Sequence, residues 1–256
     1  MRKLVLISVI VFLAFVPVHA HGASLDTSYR PDRDSFGFAN FGDQEGIEGI
    51  DLNELLGTNF HDEIICHTGH CFGMAVASVE NFNSRVASIT IPREKAMPYI
   101  DRIQTGQSFY YIADFFRWPL GEKTSNDTAE YEKLCTRISS GIPAVLGVYS
   151  SCNDYPGHAV VAYRIEQDGN RSYIYVYDPN IPATLHNYDT EPMIAVFDMA
   201  NGTFYYNNGH LFDEMKVDEI DDTSVDLGKA LTAGFVSLPF AAAIMLVRRP
   251  RSRRRP

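Results

Sequence analysis

"GHAVVAYRIEQDGNRSYIYVYDPN", residues 157–180, decides how this chain folds. Two runs rich in Val, Ile, Ala and Tyr flank Gln167-Asp168-Gly169-Asn170, a cluster that favours a tight reversal. The stretch predicts a β-hairpin with strands over 157–166 and 171–180. Turn symmetry centred near Asp168-Gly169 sets His158 across from Asp178 on one face, with Cβ atoms roughly 5 Å apart. Val160, Ala162, Ile174 and Val176 share those faces, so that side needs a packing partner. Tyr163, Tyr173, Tyr175 and Tyr177 fall on the other side and read as a packing layer.

Working outward, "PAVLGVYS" at 143–150, "MIAVFDM" at 193–199 and "GTFYYN" at 202–207 extend the sheet. Helices lie upstream. Over 71–86, Phe72, Ala75, Val76, Val79, Phe82 and Val86 recur at helical spacing. Asn126-Asp127-Thr128 caps a second helix running to about Ser140, with Tyr131, Leu134, Cys135 and Ile138 as its apolar stripe and Gly141 as its stop. Pro92, Pro98 and Pro119 restrict helices in 92–120 to short ones. Residues 24–60, rich in Gly, Asp and Asn, read as loops with short elements. Helices followed by an antiparallel sheet give an α+β fold. The helix starting at Cys71 is the natural cover for the His158 face.

"CHTGHCFGMAVASVENF", residues 66–82, carries the reactive side chains. Three chemistries suit it. Cys66, His67, His70 and Cys71 are a conceivable ligand set for a metal-binding surface protein, although C-H-x-x-H-C is not a usual zinc spacing. Cys66 and Cys71 are close enough in sequence for a disulfide. Alternatively Cys71 is a nucleophile at a helix N-terminus, where helix dipole and imidazolium favour thiolate. The third reading also uses His158 as acid and base and Asp178 as its orienter, with Asn180 as the alternative. An oxyanion then needs the Cys71 N–H and an upstream amide. Asn40 and Gln44 are the candidates, and Asn40, in "FANFG", is preferred.

"GHCFGMA" at 69–75, "GHAVVAY" at 157–163 and "YVYDPN" at 175–180 together resemble papain-like cysteine peptidases. The resemblance is to the type that trims double-glycine leaders from bacteriocins and to its exported prokaryotic relatives. It covers about residues 36–182 and includes the Pro-led strand "SGIPAVLGVYS", 140–150. It implies a papain-like fold, with the nucleophile helix packed on a C-terminal antiparallel sheet. It also implies Cys71 as nucleophile, His158 as general base and acid, Asp178 as orienter, and no cofactor. That family usually has a Gln several residues before the Cys; positions 64–70 hold none here, so the donor falls to Asn40 or Gln44.

The two ends differ from the middle. Arg2-Lys3, an apolar run over Leu4–Phe15 and Val18-His19-Ala20 read as a signal peptide over 1–20. Residues 227–247 are apolar apart from Lys229 and precede six arginines, which reads as a membrane-spanning helix with a basic cytoplasmic tail at 248–256. A sorting tail that is later removed has the same layout. The peptidase-like domain is expected over 21–210 and an acidic stalk over 211–226. Of 22 Lys and Arg, two lie in the leader and six in the tail, leaving 14 against 32 acidic residues. Such a body is unsuited to nucleic acid. The expectation is an exported, membrane-anchored thiol hydrolase acting at the cell surface on a peptide or protein substrate. The alternatives are a catalytically silent binding domain of the same fold, or the metal-binding surface protein.

Overall fold

The computed structural model of the chain describes residues 24–41, 69–104, 126–150 and 157–218. The fold is α+β. In chain order the elements are β1 (Ser24–Asp26), α1 (Pro31–Asp34), α2 (Cys71–Asn83), a 3-10 turn (Ser88–Thr90), α3 (residues 93–104) and α4 (Asp127–Ser139). The strands follow as β2 (Ala144–Tyr149), β3 (His158–Asp168), β4 (Arg171–Tyr177), β5 (Met193–Asp198), β6 (Thr203–Asn207), β7 (Leu211–Phe212) and β8 (Glu214–Val217).

The sheet runs β7-β6-β5-β4-β3-β2-β8, with every pairing antiparallel, and β1 adds to the far half of β3. Its two outermost strands, β7 and β8, are separated in sequence by Asp213 alone. The chain therefore steps from one edge of the sheet to the other, and the sheet curls into a near-barrel. Residues 211–217, expected in the stalk, are part of this closure. Met215 and Val217 face inward and are buried, and β8 pairs with β2 from Leu146↔Val217 to Tyr149↔Glu214.

Apolar side chains cover both faces of the central strands, which explains why β3 is buried continuously from His158 to Tyr163. On the inner face, Leu146, Val160, Ala162, Ile174, Val176, Phe197 and Phe212 pack with Tyr131, Leu134 and Ile138 of α4. Asn126 caps that helix, its Oδ1 accepting from the Thr128 and Ala129 N–H groups. On the outer face, Val145, Ala159, Val161, Tyr163 and Tyr177 pack with α2 and α3. This reverses one expectation: α2 covers the tyrosine side of the hairpin, and α4 covers the Val160 side. Tyr163 and Tyr177 are core residues beneath α2.

Helix α2 is buried on nearly every side from Gly73 to Val79, being held between the sheet, α1 and α3. It stops at Asn83, so Val86, expected on its stripe, is 43% exposed. Helix α3 is longer than its prolines suggest. Pro92 precedes it, and Pro98 is accommodated inside because Ala96, Met97, Ile100 and Ile103 bury against the α2 core.

Candidate active site

Cys71 is the first residue of α2, where backbone N–H groups have no intrahelical acceptor. It is a buried free thiol. Two contacts with α3 fix this first turn. The Gly73 N–H donates to Gln104 Oε1 at 2.9 Å. A Cβ at Gly73 would lie 2.3 Å from the Ile100 carbonyl oxygen, so only glycine lets the helices approach this closely.

His158 opens β3 directly after Gly157, whose φ of +98° is reserved for glycine. Its Nε2 meets Asp178 Oδ1 at 2.7 Å, with both side chains buried. The two residues are not directly opposed, as turn symmetry suggested. The turn holds Gly169-Asn170, and the register shifts at Tyr163, where β3 bulges. Thr27 fills the gap by bonding the Tyr163 carbonyl through both its N–H (3.1 Å) and Oγ1 (3.0 Å). Extending the last pairs, Ala162↔Val176 and Val161↔Tyr177, puts Asp178 across from Val160. His158 thus reaches it from the diagonal position on the same face.

Asp178 accepts four hydrogen bonds. Oδ1 takes His158 and the Asn180 N–H at 2.8 Å; Oδ2 takes Tyr206 Oη and Asn208 Nδ2, each at 2.7 Å. Burial alone would raise its pKa. The His158 bond and charge, with the Asn208 and Tyr206 donors, overcome that and hold it below the ordinary carboxylate value. Burial, then the Asp178 charge, push the Tyr206 phenol far upward, so it remains a donor. For His158, burial favours the neutral ring. The Asp178 bond and charge, followed by a hydrogen bond and charge from Cys71, outweigh it and raise the pKa well above the ordinary histidine value. With Nε2 committed to Asp178, Nδ1 is the nitrogen left for the Cys71 sulfur. Phe212 stacks beside the imidazole at 6.2 Å between ring centroids.

Asn40 stands where the two halves meet. Its N–H donates to the Pro179 carbonyl (2.7 Å), its Nδ2 donates to Asn180 Oδ1 (2.9 Å), and its Oδ1 accepts from the His70 N–H (2.7 Å). One Nδ2 hydrogen remains beyond the Asn180 bond. Asn180, the alternative orienter, gives Asp178 its backbone N–H and does not displace it from His158. His70 is wholly buried, with Nδ1 on the Phe41 carbonyl (2.7 Å) and Nε2 on Asp101 Oδ1 (2.8 Å). Both its ring nitrogens are therefore engaged by protein atoms. Gln44, Cys66 and His67 lie outside the described residues, as do the expected signal peptide and membrane-spanning segment. Among the described residues no helix is long and apolar enough to cross a membrane, and no cluster of His, Cys, Asp and Glu forms a metal site.

Four side chains of this site went unrecognised in the sequence: Asp101, Gln104, Tyr206 and Asn208. Tyr206 lies in β6 and Asn208 one residue past its end, two positions on, a spacing that offers a usable signal. Asp101 and Gln104 carried none. The chain matches no family model, no curated protein and no solved structure.

Proposed function

We propose that the domain is a papain-like thiol hydrolase that cleaves a peptide or amide bond through Cys71, His158 and Asp178. One observation carries the reading: a buried imidazole, oriented by a four-fold hydrogen-bonded carboxylate, has its remaining nitrogen for the thiol that opens α2. The raised His158 pKa favours an imidazolium at neutral pH, which is the partner a thiolate requires.

In the forward step the Cys71 sulfur bonds to the substrate carbonyl carbon. The oxyanion is met by the Cys71 N–H and the remaining Asn40 Nδ2 hydrogen. His158 gives its proton to the leaving amine as the C–N bond breaks, which leaves a thioester. Neutral His158 then takes a proton from water as the water oxygen attacks. Collapse releases the acid and restores the thiolate–imidazolium pair. Asp178 holds the ring orientation throughout and stays ionised. Export by a cleaved leader and retention by the apolar segment at 227–247 complete the proposal, placing the domain at the cell surface.

The test is alkylation of Cys71 by iodoacetamide. The wild-type chain should react faster than a simple thiol, and His158→Ala should lose that advantage. Equal, ordinary rates in both proteins would overturn the reading.

A further inference from the structure

We infer that His70 and Asp101 form a second histidine–carboxylate couple, whose work is to position the nucleophile. The inference rests on the thiol-hydrolase reading and extends it to residues that reading leaves unused.

His70 is not available as a base. The Phe41 carbonyl can only accept, so Nδ1 must carry a hydrogen, and Nε2 is committed to Asp101 Oδ1. The ring also stacks on Phe41, with centroids 4.5 Å apart and planes at 19°. A side chain held on two edges and one face leaves its own backbone little freedom, and that backbone is the residue before Cys71. The His70 carbonyl accepts the first helical bond, from the Met74 N–H at 2.9 Å, and its N–H goes to Asn40.

These bonds form one continuous chain. Asp101 holds His70, His70 holds Asn40, Asn40 holds Asn180, and Asn180 and His158 meet on Asp178 Oδ1. The nucleophile on α2 and its base on β3 come from opposite faces of the sheet. Packing and the Gln104 bond hold α2 against the sheet and α3, and this chain in addition ties its first turn to the carboxylate that orients the base. Asp101 is the anchor at the α3 end. A nucleophile displaced by about 1 Å loses on the order of 10²-fold in rate.

Glutamine and asparagine at position 70 separate the two anchors. Gln reaches toward Asp101, as Nε2 does, whereas Asn retains only the shorter reach toward Phe41. The experiment measures iodoacetamide alkylation of Cys71 and the ultraviolet thiolate absorbance in full-length wild type, His158→Ala, His70→Gln, His70→Asn and Asp101→Asn. Rates are expressed per folded molecule from circular dichroism. His70→Asn should react about 10²-fold more slowly than wild type and lose thiolate absorbance while remaining folded. His70→Gln should recover most of both signals, and Asp101→Asn, which keeps an acceptor for Nε2, should behave likewise. Equal rates for the Gln and Asn variants overturn the inference. If wild type and His158→Ala react alike, the hydrolase reading fails and this inference falls with it. If they differ while both position-70 variants match wild type, only the positioning role is refuted.

Discussion

His158 and His70 each follow a glycine, each is buried, and each directs Nε2 at a carboxylate Oδ1, 2.7 Å away at Asp178 and 2.8 Å away at Asp101. They differ at Nδ1. In His70 that nitrogen is spent on a backbone carbonyl, which leaves it nothing to exchange a proton with and makes the ring a strut. In His158 it is left on the side of Cys71, and under the proposed reading it exchanges a proton with that thiol. On the proposed reading the same pair of side chains is structural or reactive according to one neighbouring atom. A buried His–Asp pair by itself is weak evidence of catalysis, and the partner of the second nitrogen decides the matter.

The sharpest way to break this comparison is to place glutamine at both histidines. His158→Gln should lower Cys71 alkylation by about 10²- to 10⁴-fold, because an amide cannot carry the proton. His70→Gln should stay near wild type. Comparable losses at both sites would erase the distinction. Next in size are the carboxylates. Asp178→Ala and Asp101→Ala each strand a buried imidazole, and each should cost about 3–5 kcal/mol in urea unfolding. A small loss at Asp101 alone would show that the strut tolerates slack.

The pH dependence of stability tests the charge on His158. Its pKa in the folded protein is raised above 6.5, so its contribution is complete below that value and fades as pH climbs toward the folded pKa. Asp178 is depressed below 3.8, so its contribution is present above that value and is lost as pH falls through the folded pKa. The advantage of wild type over His158→Gln should therefore be larger at about pH 5 than at about pH 9 in urea titrations. The smallest effect concerns the donors behind Asp178. Tyr206→Phe removes one charge-assisted bond and should cost about 1.5–3 kcal/mol by the same assay.

The hairpin was legible because its runs are β-branched and aromatic and Gly169-Asn170 sits between them. The placement of α2 was not. Alternation tells which residues share a face, but both faces of β3 are buried, so nothing in the pattern says which helix covers which. The direct opposition of His158 and Asp178 failed for a different reason. The turn is centred on Gly169-Asn170 instead of Asp168-Gly169, which displaces the two from opposition, and the bulge at Tyr163, whose carbonyl bonds Thr27 136 positions away, takes back one residue of that offset and leaves them diagonal on one face. Cys71, His158 and Asp178 stood out because each sits beside a turn or helix start with its own local signature. Asp101 and Gln104 lie in an ordinary amphipathic helix and acquire meaning only from what α3 touches. The acidic residues around Met215 and Val217 hid a strand, because two apolar residues are too short a signal against six acidic neighbours between 213 and 222.

That closing strand bears on how the protein is made. During synthesis β2 leaves the ribosome well before β8, which pairs with it some 70 positions later in the chain. Until residue 217 has emerged, β2 presents an unpaired strand edge, and the barrel interior lies open along the same seam. Folding is thus expected to finish late and through long-range contacts, with the nascent chain most prone to misassociation in the interval before its last strand arrives.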